Sequence, residues 1–273
     1  METMLLNVGE LYRGIVVKRP SLSCKTPYVA DVTIENENIL AHTASLGCCG
    51  LADKDAIVYM RKVENKKNVC SYKVLVSEQI EKGNTHLIGI DPKMAETIVD
   101  KCINNNILKN LKNVKMYERE KTFMNSRFDF TGIDENNKRF ILEVKNVPLA
   151  DYVDCTSKEK KHMNFDNKNF NDKISYFPDG YRKKKDAPVS ERALKHINEL
   201  KDIKINHNYR TILCFVIQRT DISSFQPSNI DIYYKKAVQE AVANGVELMT
   251  IVCKWNYNGD VNFITEDLPI NLF

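Results

Sequence analysis

A chain of 273 residues with 43% hydrophobic and 9% aromatic content carries enough apolar surface for one or two cores, which excludes disorder over most of its length. Forty basic against 36 acidic residues leave a net charge of +4, too mild a bias to mark a polyanion-binding protein unaided. No stretch approaches ~18 apolar residues, and the start lacks the basic-then-apolar build of a secretory signal, so a soluble, intracellular, cytoplasmic protein is expected, or a nuclear one if the host has a nucleus. Eight cysteines, none in a CxxC or Cys/His zinc spacing and several inside apolar runs, suit reduced thiols.

From residue 10 to about 90 the chain is a succession of short β-type runs, at 11–17, 28–34, 39–42, 56–61, 69–76 and 86–90, rich in Val, Ile and Tyr and broken by Pro, Asn, Gly and charge. Five or six strands in so short a span predict a small closed barrel, with a generic β-sandwich as the competing arrangement. At Asp91-Pro92 the pattern changes. Pro92 suits the first turn of a helix, and Met94, Ala95, Ile98, Val99 and Cys102 then share one helical face until Asn104-Asn105-Asn106. The domain boundary is placed there, giving 1–90 and 91–273.

The second part reads helix 92–104, strands 114–120, 126–133 and 139–147, helix 188–202, strand 210–217, helix 231–244 and strand 246–254, with a short strand near 261–264. It is a mixed α/β unit. Between strand 139–147 and helix 188–202 lies a Lys-rich insertion at about 151–187; from Lys158 to Asp186 it holds nine basic and five acidic residues. Its length and lack of periodicity predict a mobile loop, either solvated or reaching a phosphate backbone, with Lys183, Lys184 and Lys185 as the candidate contacts.

The chemistry concentrates on Asp129 and on Glu143-Val144-Lys145. The segment Asp134-Glu135-Asn136-Asn137-Lys138 is a turn signal, and a hairpin symmetric about Asn136 pairs residues whose numbers sum to 272, setting Asp129 opposite Glu143. Alternation along a strand sends Glu143 and Lys145 to one face and Val144 to the other. Two adjacent carboxylates repel, and a hard divalent cation such as Mg2+ or Mn2+ relieves them, with a lysine beside it to orient water or stabilise charge at phosphorus. The plainer reading is a cross-strand charge network on a solvated sheet face.

Further candidates flank this group. Ser190 is placed to cap a helix whose Arg192, Lys195, His196 and Glu199 recur at three- and four-residue spacing, a face able to meet a phosphate backbone or simply a charge-paired flank. Gln218 and Arg219 end an apolar run where a strand tip would deliver them to a cleft edge, or where they would cap neighbouring backbone. In the N-terminal part, Tyr12, Arg13, Lys18, Arg19 and Tyr28 are the residues available to a nucleic-acid surface.

Taken in order, Ser126-Arg127-Phe128-Asp129-Phe130, Leu142-Glu143-Val144-Lys145-Asn146-Val147, Phe177-Pro178-Asp179, Arg192 with Lys195-His196 and Glu199-Leu200, Phe215-Val216-Ile217-Gln218-Arg219 with Asp221, Phe225 and Pro227, then Ile230-Asp231 and Gly245-Val246-Glu247 carry a resemblance running from Leu11 to about Val252. The chain resembles the sugar fermentation stimulation protein family, which implies an N-terminal OB-fold and a C-terminal domain similar to the PD-(D/E)XK nucleases. The resemblance further implies DNA binding, with Mg2+-dependent phosphodiester hydrolysis as the expected activity and a non-catalytic, DNA-binding regulatory protein as the alternative. It assigns Asp129 and Glu143 to the metal, Lys145 to catalysis, and Asp179, Arg192, His196, Gln218 and Arg219 to the surrounding cleft; Arg127 and Lys195, in the same motifs, are further candidates for nucleic-acid contact.

Overall fold

The computed structural model describes residues 2–43, 50–64, 69–178 and 187–273. Strand β1 (Thr3–Asn7) precedes an antiparallel six-stranded sheet built from β2 (Tyr12–Lys18), β3 (Val29–Ile34), β4 (Glu37–His42), β5 (Ile57–Lys62), β6 (Tyr72–Glu81) and β7 (Asn84–Gly89), in the order β4-β3-β2-β5-β6-β7. A parallel pairing of Ala41 with Tyr72 and His42 with Lys73 joins β4 to β6 and closes the sheet on itself, the OB-like topology of a five-stranded barrel with β7 appended. Alternate residues fill it: Val16, Ala30, Val32, Val58, Met60 and Val74 are buried. Gly14 is required there, since a Cβ at this position would lie 2.6 Å from the Val32 side chain and 2.7 Å from that of Met60.

Helix α1 (Pro92–Asn104) begins where the sequence predicts, its N-cap Asp91 accepting from the Lys93 backbone N–H at 3.3 Å. Then come β8 (Met116–Phe123), β9 (Ser126–Ile133), β10 (Arg139–Asn146), β11 (Ala150–Asp151), α2 (Ser157–Lys160), β12 (Lys173–Phe177), α3 (Glu191–His207), β13 (Arg210–Ile217), β14 (Ile222–Pro227), α4 (Ile232–Ala243), β15 (Glu247–Trp255) and β16 (Asp260–Thr265). The main sheet runs β1-β16-β15-β13-β10-β9-β8, with β10, β13 and β15 parallel. Phe130, Phe140, Leu142 and Val144 pack under α1 on one face; Phe128, Ile141, Leu213 and Phe215 pack under α3 and α4 on the other. Among the described residues no helix is long and apolar enough to cross a membrane.

Two features depart from the expected organisation. Residues 3–7, counted with the barrel in the sequence, cross over and pair with β16 in the C-terminal sheet, Thr3 opposite Phe263. The insertion, expected as a mobile loop, folds in its described part: β11 and β12 form a three-stranded sheet with β14. Lys82, at the barrel's β6–β7 turn, donates to the Phe165 and Lys168 carbonyls at 2.6 Å each, and so pins the insertion to the barrel. Lys173 is buried and ion-paired with Asp221 at 2.7 Å and Glu81 at 2.9 Å. These contacts are long-range, so no local periodicity announces them.

Candidate active site

The hairpin that carries the acids is built by its turn. Asp134 Oδ1 accepts from the backbone N–H groups of Asn136 and Lys138, both at 2.9 Å, while Asn137 takes the left-handed conformation at φ 61°. The resulting pairs, Arg139 with Ile133 through Leu142 with Phe130, sum to 272. The regular pairing ends at Leu142 and Phe130, one position short of Asp129 and Glu143.

At that position the strand is irregular in a way alternation does not foresee. Phe128 lies in the α3-side core and Phe130 in the α1-side core, although residues two apart on a regular strand share a face. Strand β9 therefore changes face at Asp129. Its neighbour across β8, Glu120, is left-handed at φ 54° between the regular pairs Arg119–Phe130 and Lys121–Phe128. Freed from the ladder's geometry, the Asp129 carboxylate turns to β10 and accepts from the Val144 N–H at 2.7 Å.

Glu143 is 3% exposed. One of its oxygens, Oε1, accepts from Lys145 Nζ at 2.6 Å and also contacts Nδ1 of His196, which reaches it from α3. The lysine amine lies 3.4 Å from the same imidazole nitrogen. The other oxygen, Oε2, is buried without a hydrogen-bond partner among the described residues. Burial pushes Glu143 up, but Lys145 and His196 more than offset it and hold the carboxyl below its ordinary value. Asp129 shows the opposite outcome: burial, then the Glu143 charge, push it up to about 7 against the pull of Val144 and Lys145.

The donor set fits a hard divalent cation. Two carboxylates from adjacent strands are available, one with a buried oxygen that has no partner among the described residues and the other pushed up by burial and then by the Glu143 charge. No third His, Cys, Asp or Glu joins them as a metal cluster among the described residues, so water or a substrate oxygen would complete the coordination. Asp129 and Glu143 are the residues that would hold the ion.

The flanking candidates separate into two groups. Ser190 caps α3 by accepting from the Ala193 N–H at 3.2 Å, and the helix buries Ala193, His196, Ile197, Glu199 and Leu200 while Arg192 and Lys195 remain exposed. His196, expected on a DNA-facing flank, is instead buried against Glu143. Arg127 is exposed on β9, 3.4 Å from Glu120, and Lys195 donates to the Asn125 carbonyl at 2.7 Å.

Gln218 and Arg219 do not reach a cleft. Gln218 is fully buried, donating to Asn146 Oδ1 at 2.7 Å and accepting from Trp255 Nε1 at 2.9 Å; its amide locks the barrel side of the sheet rather than joining the acids. Arg219, 1% exposed, makes a bidentate pair with Asp221 at 2.7 and 2.6 Å and donates to the Pro148 carbonyl at 2.8 Å, which leaves its guanidinium no path to a phosphate. Asp179, Lys183, Lys184 and Lys185 lie outside the described residues. Sequence reasoning overlooked Glu96, on the half-buried flank of α1, whose charge also pushes Asp129 up; its one signal was an acid at the margin of the apolar stripe.

An OB-like barrel fused to an α/β domain of restriction-endonuclease type, with an acid pair and a lysine on adjacent strands, defines the class of protein. The family model described as sugar fermentation stimulation protein RE domain matches residues 93–259. The sugar fermentation stimulation protein homolog of Clostridium novyi (strain NT) is 30% identical over 250 residues, covering 91% of this chain and 93% of that protein. The homolog of Clostridium tetani is 28% identical over 255 residues, 93% of each. The chain belongs to the sugar fermentation stimulation protein family. A solved structure, Pyrococcus furiosus SfsA in complex with Ca2+, aligns with a TM-score of 0.78 over 98% of this chain and 99% of that one at 19% identity, which shows the shared fold.

Proposed function

We propose that this protein is a divalent-cation-dependent nuclease that hydrolyses phosphodiester bonds of DNA with little sequence specificity. One observation carries the reading: buried Glu143 keeps an oxygen without a partner among the described residues, on the strand beside an Asp129 that burial and the Glu143 charge push up to about 7, so the pair offers two carboxylates with room for a cation. The Pyrococcus furiosus relative is described in complex with Ca2+, which supports the same class of ion here.

Bound between Asp129 and Glu143, Mg2+ or Mn2+ would supply a polarised phosphoryl oxygen and a water of lowered pKa. The chain's own residues do the rest. His196 and Lys145 hold Glu143 by Oε1, which reserves Oε2 for the ion. Lys145, fixed between that oxygen and the imidazole, positions the attacking water and offsets charge gathering on the phosphate. Arg127, Arg192 and Lys195, all exposed, give the phosphate contacts that hold the strand without reading bases.

Incubation of supercoiled, linear and single-stranded DNA with Mg2+, against a chelator control, tests this. Wild type should yield metal-dependent products, and Glu143→Gln and Lys145→Ala should lose them while keeping salt-sensitive DNA binding. DNA binding with no metal-dependent product in wild type would support a non-catalytic, DNA-binding regulator instead.

A further inference from the structure

Strand β8 ends the main sheet on the side away from β1, and among the described residues no strand pairs with its outer edge. Such an edge presents unpaired N–H and C=O groups, a template for one more strand. Charge ordinarily deters that pairing, and β8 carries Glu118, Arg119, Glu120 and Lys121 in succession, all exposed. Their order is what matters.

Laid antiparallel against a second copy so that residue numbers sum to 239, Glu118 meets the partner's Lys121 and Arg119 the partner's Glu120, and each pair occurs twice about a two-fold axis. One step either way fails. A sum of 238 sets Arg119 on Arg119 and Glu118 on Glu120, and a sum of 240 sets Glu120 on Glu120 and Arg119 on Lys121, so that like charges face each other. A foreign strand of apolar residues would leave all four charges unpaired across the joint. The pattern therefore selects the strand's own copy, in a single register.

The backbone admits that register for a specific reason. Opposed residues of an antiparallel pair share a face of the sheet, whereas a sum of 239 opposes odd with even numbers, which a regular strand would send to opposite faces. Strand β8 is not regular: Glu120 is left-handed at φ 54°, at the centre of the palindrome, with regular pairs to β9 on both sides of it. The faces change there. Glu118 and Lys121, three residues apart, form an ion pair at 2.6 Å, while the adjacent Arg119 and Glu120 both reach α1, the first to Glu96 at 3.5 Å and the second to Lys93 at 2.8 Å. At the ends of the same register Met116, 55% exposed, meets the partner's Phe123 and gains apolar cover.

We propose that the chain forms a two-fold dimer by antiparallel pairing of β8 with β8 of a second copy, in the register whose numbers sum to 239. The two main sheets then become one, and the joint runs one strand away from the β9 that carries Asp129 in each copy. The dimer stands whether or not the acid pair cleaves DNA.

Sedimentation equilibrium of the full chain in EDTA at low ionic strength reads the association directly. A joint of eight residues a side is small, so wild type should dimerise with a Kd of about 10 μM and more weakly as salt rises. Glu118→Lys alone and Lys121→Glu alone each set like charges across the joint and should weaken self-association roughly thirtyfold. Both side chains are 54% exposed, so each variant should keep the wild-type circular dichroism and melting curve. An equimolar mixture of the two variants restores opposite charges at both contacts between positions 118 and 121 and should dimerise as tightly as wild type, which misfolded chains could not do. Wild type that stays monomeric at about ten times the expected Kd, or a mixture no tighter than its components, would overturn the proposal. Assembly beyond two copies, or dimers indifferent to both substitutions, would place the contact elsewhere and overturn it equally.

Discussion

Two buried charge clusters in this molecule are resolved in opposite ways. At the junction of barrel, insertion and α/β domain, Asp221 takes a bidentate arginine, a lysine at 2.7 Å and an imidazole nitrogen of His86 at 3.1 Å. Burial would push its carboxyl up, but Arg219 and His86 drive it far below the ordinary range. At the Asp129–Glu143 pair, one lysine and one histidine face Glu143, one of whose oxygens has no partner among the described residues, and burial with the Glu143 charge leaves Asp129 raised. Balance fits the first cluster to architecture; imbalance is what makes the second the proposed place for a ligand.

The contrast can be broken at its strongest point by urea unfolding. Arg219→Ala takes the bidentate partner from buried Asp221 and should cost ~3–5 kcal/mol, whereas Asp129→Asn at pH 8 should cost nothing or stabilise, because it removes a carboxylate whose charge burial and Glu143 disfavour. Equal losses in the two variants would end the distinction.

Added Mg2+ gives the next largest effect. At about 100 times its Kd it should raise unfolding stability by ~2.7 kcal/mol in wild type and leave Glu143→Gln unmoved, which thermal melts would read.

The two clusters should also respond to pH with opposite signs. Asp129 lies near 7 in the folded chain against an ordinary 3.8, so the fold holds its proton more tightly. Its contribution to stability is complete in acid and is lost as pH rises through about 7, and Asp129→Asn should flatten that decline. The ion competes for the same carboxylate, so stabilisation by Mg2+ should grow over the same interval. Asp221, displaced downward, contributes above its ordinary range and loses that contribution as pH falls through and below it. Smallest of all, Lys195→Ala should change stability by no more than ~0.5 kcal/mol, since the side chain is half exposed, while reducing the salt slope of DNA binding.

Much of this was legible in the residues because its causes are local. Asp134 to Lys138 encode a turn whose symmetry carries the register down to Phe130 and Leu142, one position short of Asp129 and Glu143, and Pro92 with a 3.6-residue stripe encodes α1 to the residue. The same logic misplaced Gln218 and Arg219: a polar pair at the end of an apolar strand looks like a cleft edge until another domain covers it. The insertion failed for a related reason, since β11 and β12 are held by β14, over forty residues away, and by Lys82 of the barrel.

Sequence alone determined the fold class and the hairpin, and singled out Asp129, Glu143 and Lys145 as candidates, because turn chemistry and strand patterning act over a few residues. Only tertiary structure decided that His196 grips Glu143 from a distant helix, that β9 changes face at Asp129, and that one polar cluster became a sealed junction while another kept unmatched charge. Those outcomes depend on which surfaces meet when the chain closes on itself, and burial, which sets the cost of every charge, exists only after they have met.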